Sequence, residues 1–263
     1  MTRWEFTDDE FQVLCTRYLE GALPAPLTYL SRTPLLADYE REVAEIQARL
    51  DAELGPEIRP VMEVLARPEV WFWLHASVDG RSDDPTASVR IHGARLGRRA
   101  LLVSQAAGET FDHGGNVTLL ECDPEELPGL LVAQLPPTKA GRRTSIPIVV
   151  DTAAPDPEET SGSGAFDSFE ESDRSATAAF FSEPVTLAGM LRLAQGRSKY
   201  GPRGVAEVVL HWRDVADDGR YLIDLGQPEP LAVAVDARQF TDRFTRSIAQ
   251  IIEQMEWRGE YDE

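Results

Sequence analysis

The sequence predicts an α+β fold with a central antiparallel β-sheet and flanking helices. Apolar residues recur at helical spacing up to about residue 66 and then alternate along short runs. The links between these runs are too short for crossover helices, so neighbouring strands should be antiparallel. A strand followed by an Asp-capped helix occurs twice, which predicts one sheet made of two related halves.

Three helices are expected before the first long strand. Thr7 and Glu10 have the spacing of a capping box, and apolar positions on one face follow them. Thr33 and Pro34 suit the cap and first turn of the second helix, which Gly55 ends. The helices are therefore expected over residues 7–20, 33–55 and 58–66, and LPAPLTYL, 23–30, suggests a short strand.

Four consecutive strands follow. They are expected over residues 70–78, 86–97, 99–105 and 116–122. The links DGRSDDP, LGRR and ETFDHGG contain Gly, Asp and Pro, which favour turns. Asp123 and Pro124 then begin a helix that Pro136 closes.

An acidic segment rich in Ser, Gly, Pro and Ala comes next. Residues 151–178 contain almost no branched aliphatic side chains, so they cannot bury enough apolar surface to offset the entropy of ordering. We expect a flexible linker there, joining halves 1–150 and 179–263 of one domain that spans residues 1–263.

The second half is expected to contain a helix, three strands and a closing helix. The first helix is assigned to PVTLAGMLRLAQG, residues 184–196, and the strands to 206–214, 219–225 and 230–236. Asp236 caps the closing helix, whose apolar side chains form one stripe. In both halves a bulky apolar residue, Leu127 or Phe240, follows the capping Asp by four positions.

Composition argues against several classes of protein. The formal net charge of −19 disfavours nucleic acid or an anionic membrane surface, because both attract clustered basic residues. Cys15 and Cys122 are far apart and lack metal-ligand spacing. The N-terminus has no apolar signal core, and no apolar run is long enough for a membrane helix. A cytoplasmic protein without membrane insertion is expected.

The stretch HWRDVADDGRYLID, residues 211–224, combines a histidine with four carboxylates. A calcium loop that begins at Asp214 needs oxygen ligands at its third and twelfth positions, but Ala216 and Leu225 stand there. Asp217, Asp218 and Gly219 instead suit a hairpin turn between two strands. This motif is interpreted as architecture, not as a metal site.

Other motifs leave two classes of function open. The sequence has no Walker loop, dinucleotide fingerprint or nucleophile elbow. An enzyme or small-molecule-binding protein could still use His75, His92 or His211 as acid or base in a pocket over the sheet. Alternatively, Trp71 and Trp73 lie on the opposite strand face from Phe72, and an exposed aromatic face indicates a protein interface.

The order of these segments resembles the EspG family over about residues 7–256. The matching segments are ARPEVWFWLHAS, ASVRIHGARLGRRALLVSQAAGE, GGNVTLLECDPEELPGLLVAQLPP, the acidic Ser/Gly tract, GRSKYGPRG, DVADDGRYLI and the C-terminal amphipathic helix. EspG proteins are cytosolic chaperones of ESX, or type VII, secretion in actinobacteria. The resemblance implies a twisted antiparallel sheet with quasi-two-fold related halves between helical bundles.

The resemblance also implies a partner. EspG chaperones grip the helical tip of the PPE subunit in PE–PPE heterodimers and keep it soluble until export. By position, the resemblance suggests these partner-binding residues: Arg81, Asp83, Asp84, Met190, Arg192, Lys199 and Tyr200. It implies no catalytic residue, cofactor or metal. A structural self-associating module is a third hypothesis, and a homodimer of the free protein is a related expectation.

Overall fold

The computed structural model describes residues 1–81, 84–150 and 165–260, and for residues 165–170 it describes the backbone alone. Strands of the described residues form one antiparallel sheet. They are β1 (Thr2–Phe6), β2 (Val70–Val78), β3 (Ser88–Leu96), β4 (Arg99–Gln105), β5 (Val117–Cys122), β6 (Ser145–Pro147), β7 (Val185–Gln195), β8 (Glu207–Val215), β9 (Gly219–Ile223) and β10 (Leu231–Ala234). The predicted α+β class with an antiparallel sheet is confirmed.

The order across the sheet is β1, β5, β4, β3, β2, β7, β8, β9, β10, β6. The central pair is β2 and β7, in which His75 lies opposite Met190. On either side of this pair three consecutive strands follow outward, and a short strand that precedes the central strand in the chain, β1 before β2 and β6 before β7, closes each edge. The two halves of the sheet therefore repeat the same strand order about the β2–β7 junction.

Helices lie on both faces of the sheet. They are α1 (Asp8–Tyr18), α2 (Leu36–Glu53), α3 (Ile58–Ala66), α4 (Leu127–Ala133), α5 (Ala165–Ser182) and α6 (Ala237–Trp257). Both α1 and α6 begin with a complete capping box, formed by Thr7 with Glu10 and by Asp236 with Gln239. These reciprocal hydrogen bonds satisfy backbone donors that a helix start otherwise leaves free.

One face of the sheet, here called the covered face, carries the largest core. Helices α4 and α6 pack on it, and Phe244 meets Phe72 edge to face at 4.9 Å between ring centroids. On the opposite face, α1 to α3 pack over the first half. Helix α5 packs over the second half, where Phe180 contacts Tyr221. This opposite face is here called the groove face.

The prediction of a helix over residues 184–196 is wrong, because this segment forms β7, a central strand. Leu, Ala, Met and Gln favour helices when isolated, but here the segment pairs with strands on both sides, and such tertiary context overrides propensity. Gly189 allows the close approach of the neighbouring strand β8, since a Cβ atom there would lie 2.5 Å from Cη2 of Trp212. The strand needs a glycine where the indole crosses it.

The flexible linker predicted over residues 151–178 is corrected in its second part. Residues 165–182 form α5, while residues 151–164 lie outside the described residues. Two contacts hold the helix in place. Thr177 Oγ1 donates to the Pro147 carbonyl at 2.9 Å and accepts from the Val149 amide at 3.0 Å, and Phe180 is fully buried. The low apolar content of this segment did not prevent helix formation, because the buried ring of Phe180 anchors α5 against the sheet.

Smaller differences concern the first half and the edges of the sheet. Residues 23–30 contain no strand, and α2 begins at Leu36 without a side-chain cap from Thr33. Edge strands β1 and β6 were not expected. Both are short, so their alternation is too brief to identify them in the sequence.

Candidate partner-binding groove

The groove face is open along its centre. Helices α1 to α3 and helix α5 stand on its two sides, and side chains of β2, β7 and β8 between them are half-buried or, at His75, exposed. These groove residues are Trp71, Trp73, His75, Met190, Arg192, Val209 and His211. Among the described residues they form a strip of aromatic, basic and apolar groups along the middle of the sheet.

One cross-strand row of the groove combines basic and apolar side chains. Arg90 of β3 lies opposite His75, His75 opposite Met190, and Met190 opposite His211. Directly paired residues of antiparallel strands project from the same face. Because strands are about 4.8 Å apart, the two imidazoles lie roughly 10 Å from each other with Met190 between them.

The neighbouring rows are organised around Arg192. Its guanidinium binds Glu207 through two hydrogen bonds of 3.0 and 2.7 Å and lies 5.6 Å from the ring centroid of Trp71. Trp71 in turn stacks on His92 at 6.3 Å and 9°. This stack fixes the indole, so that end of the groove has a firm aromatic wall.

A cavity of about 420 Å³ opens at the His75 row. Its lining includes both imidazoles, Met190, and the exposed ring of Phe181 from the end of α5. Arg213 also lines it and is fixed from behind, because its Nη2 donates to the carbonyls of Phe181 and Glu183 at 3.1 and 2.9 Å. The cavity is therefore apolar at its floor and basic at its wall.

Burial controls the ionisation of the groove histidines. It lowers the pKa of His75, and the nearby charge of Arg90 lowers that pKa further. Burial also lowers the pKa of His211. In both cases the loss of hydration penalises the protonated ring, so the neutral imidazole is favoured in the free protein.

The structure separates the sequence-predicted partner-binding residues into three places. Met190 and Arg192 lie in the middle of the groove, on a strand and not beside the helix expected there. Arg81 and Asp84 lie in the β2–β3 loop at one end of the central strands, where they form a 2.8 Å ion pair. Asp83 lies outside the described residues.

Lys199 and Tyr200 lie at the opposite end of β7, in the loop that leads to β8. Lys199 Nζ donates to the carbonyl of Arg258 at 2.6 Å, and the Lys199 amide donates to Glu260 at 2.8 Å. Tyr200 is exposed beside the Lys199 ammonium group. Lys199 thus holds the end of the chain after α6, while the ring of Tyr200 faces solvent.

The histidines considered for acid–base chemistry are only partly brought together. His75 and His211 share the cavity, whereas His92 lies in a separate pocket beside Trp71. The described lining of the shared cavity contains no carboxylate. No group of metal-ligating side chains suited to a metal ion occurs within the described ranges. In the same ranges, no helix combines the length and apolar character needed to span a bilayer.

Sequence reasoning identified the aromatic alternation of β2 but not the histidine row. Phe72 is buried in the core, while Trp71 and Trp73 lie on the groove face, as the alternation predicted. His75 and His211 become neighbours of Met190 only through strand pairing. Their mutual position has no local sequence signal, since β7 was itself assigned as a helix.

Comparison with known proteins agrees with this architecture. The family model of the EspG family matches residues 7–235. A solved structure of the Mycobacterium tuberculosis type VII secretion system chaperone EspG5 in complex with the PE25–PPE41 dimer matches with a TM-score of 0.56. Identity there is 14%, and the match covers 96% of each chain. No curated protein sequence matches. With the family model spanning most of its length, this chain belongs to the EspG family.

Proposed function

We propose that the protein is a non-enzymatic cytoplasmic chaperone of type VII secretion. It binds the helical tip of a PE–PPE-type heterodimer and keeps that pair soluble for export. The observation that carries this proposal is the open groove face, with Trp73 and Met190 partly exposed between two helical walls. A helix or helical hairpin laid into such a groove buries apolar side chains that neither partner can leave in water without cost.

Family membership and the shared fold support this function. The similar solved structure is a chaperone bound to a PE–PPE dimer. The neutral imidazoles at the shared cavity have no carboxylate partner in its described lining, which disfavours acid–base catalysis there. We also propose that the chain is a single domain of two related halves, because strand order repeats about the β2–β7 junction.

The partner-binding surface proposed here extends beyond the groove centre. Arg81 and Asp84 at one end of the central strands, and Lys199 and Tyr200 at the other, would contact a partner longer than the groove itself. Asp83, outside the described residues, is included on the family resemblance alone. Met190 and Arg192 would contact its middle. For the described residues, these assignments rest on where each residue lies along the open strip of the groove face.

Co-expression tests this function directly. The chain is produced with a PE–PPE-type pair from the same organism, and soluble complexes are separated by size-exclusion chromatography and identified by mass. We expect a soluble ternary complex and aggregation of the pair alone. A pair that stays soluble and unbound in the presence of the chaperone would contradict the proposal.

A groove variant locates the binding surface. Trp73→Ser should weaken the complex at least about tenfold, because truncation of a buried interface aromatic commonly costs more than about 1.4 kcal/mol. Leu231→Ser is the matched control, since Leu231 is an exposed apolar residue of β10, away from the groove. Both variants should unfold at temperatures near that of the parent protein. Equal binding by the two variants would place the interface elsewhere.

A further inference from the structure

The basic character of the groove contrasts with the rest of the chain. The full sequence has 45 acidic and 26 basic residues. Yet the central rows of the groove face carry Arg90, His75 and His211, with Arg192 in the next row and Arg213 at the cavity wall. Of these described side chains, Arg192 alone is paired with an acid of the same rows, Glu207.

Two of these guanidinium groups lack a carboxylate partner among the described residues. Arg90 is almost fully buried and donates from Nη2 to the Phe111 carbonyl at 3.2 Å, while its buried Nη1 forms no hydrogen bond to a described residue. Arg213 bonds to carbonyls and stacks on the rings of Phe180 and Phe181. Because no carboxylate of the described residues is bound to either guanidinium group, their positive charge is only weakly neutralised. It creates a positive electrostatic potential in the space above Met190.

We propose that the groove selects a partner segment that places an aspartate or glutamate beside an apolar side chain over Met190, between His75 and His211. This inference rests on the proposed function and specifies the chemistry of the partner's helical tip. The apolar side chain enters the 420 Å³ cavity. The carboxylate accepts a hydrogen bond from the nearer imidazole and lies in the positive field of Arg90 and Arg213.

The charged groups around the two imidazoles support this assignment. Ser88 Oγ lies 3.0 Å from His75 Nε2, so one ring nitrogen already has a partner. Three carboxylates lie near these basic side chains, but none lines the cavity. Glu207 is bound to Arg192, and Glu183 is bound to Arg143. Asp112 lies in the loop beside Arg90. No carboxylate of the described residues lines the cavity above Met190, so an acid from the partner can enter there.

The chaperone should bind its partner more tightly at lower pH. Burial keeps the pKa of both imidazoles below the ordinary value in the free chaperone. A partner carboxylate favours the protonated ring and raises that pKa in the complex. Binding therefore takes up a proton, and a rise of one pKa unit corresponds to about a tenfold gain in affinity at low pH.

The test measures affinity by isothermal titration calorimetry between pH 8 and pH 6, with the purified PE–PPE-type pair that co-expression identifies. The parent chaperone should gain about tenfold in affinity as pH falls. His75→Gln with His211→Gln should show less than about a twofold change. His75→Lys with His211→Gln supplies a fixed charge and should bind tightly at both pH values. His113→Gln, outside the groove, is the matched control and should retain the parent pH dependence.

A second arm changes the partner. Each Asp and Glu of its helical tip is replaced by Asn or Gln, and one such replacement should remove the pH dependence. Affinity that does not vary with pH for the parent chaperone, or an unchanged profile with every amide variant, would overturn the inference while the chaperone function stands. Failure of the unmodified pair to bind at all would instead contradict the proposed function, and this inference with it.

Discussion

Asp214 and Arg220 form a buried ion pair at the base of the β8–β9 hairpin. Arg220 Nε and Nη2 donate to the two carboxylate oxygens of Asp214, both at 2.7 Å, and each side chain is 1% exposed. Asp217, in the turn between them, has a φ of 59°. The aspartates of the motif at 211–224 therefore form a hairpin turn, as the sequence interpretation predicted, and also a buried ion pair, which it did not predict.

Removal of one partner of this pair should be strongly destabilising. Arg220→Met leaves the Asp214 carboxylate buried without its counter-charge, and we expect a loss of about 3 to 5 kcal/mol in the free energy of unfolding. The loss is measured by urea denaturation at pH 7. Arg3→Met is the control, because the Arg3–Glu5 pair is exposed and should contribute less than about 1 kcal/mol. Similar losses for both would contradict the buried geometry.

His92 should make the fold sensitive to acid. Its Nδ1 donates to the Ala25 carbonyl at 2.7 Å, and burial lowers its pKa from 6.5 to about 4. The unfolded chain binds a proton near pH 6.5 that the folded chain binds only near pH 4, so stability is lost as pH falls between these values. The loss amounts to roughly 3 kcal/mol.

Denaturation curves at pH 7 and pH 4.5 measure this dependence. His92→Gln keeps a hydrogen-bond donor but removes the titrating group, so the variant should lose less stability than the parent protein over this range. His113→Gln, in an exposed loop, is the control and should behave like the parent protein. An equal acid response of His92→Gln and the parent would show that other groups cause it.

Gly189 should not tolerate a side chain. A Cβ atom there would meet Trp212, the His75 carbonyl and Ala76 at 2.5 to 2.7 Å, so Gly189→Ala should destabilise the sheet by roughly 1 to 3 kcal/mol. Gly129→Ala is the control, since a Cβ atom added at this position of α4 would have no neighbour within 4 Å among the described residues. That change should be neutral or stabilising by up to about 1 kcal/mol. Thermal unfolding distinguishes the two variants.

Glu260 should anchor the end of α6 in a pH-dependent manner. Its carboxylate accepts hydrogen bonds from Gln195, Ser198 and the Lys199 amide, each at 2.8 Å, and these bonds lower its pKa. A depressed folded-state pKa gives stability that is present above the ordinary glutamate pKa and is lost as pH falls through the lowered value. Glu260→Gln removes the negative charge that strengthens these hydrogen bonds at pH 7. Amide exchange in residues 196–204 should then be faster in Glu260→Gln than in the parent protein, whereas Glu253→Gln should not change it.

Local rules were sufficient for much of the fold. The capping box at Thr7 and the cap at Asp236 located two helix starts, and alternation located β2, β4 and β8 to within a residue or two. Turn chemistry at Asp217 identified the hairpin. These features depend on neighbours in the chain, so a single sequence contains the information that determines them.

The centre of the sheet and the groove depended on contacts between distant parts of the chain. The segment 185–195 has helix-favouring residues, and only pairing with β2 and β8 makes it a strand. The row of Arg90, His75, Met190 and His211 exists because four strands adopt one register. The sequence alone determined the fold class, the caps and the turns, whereas the tertiary structure decided which side chains face one another, since strand register joins residues that are far apart in sequence.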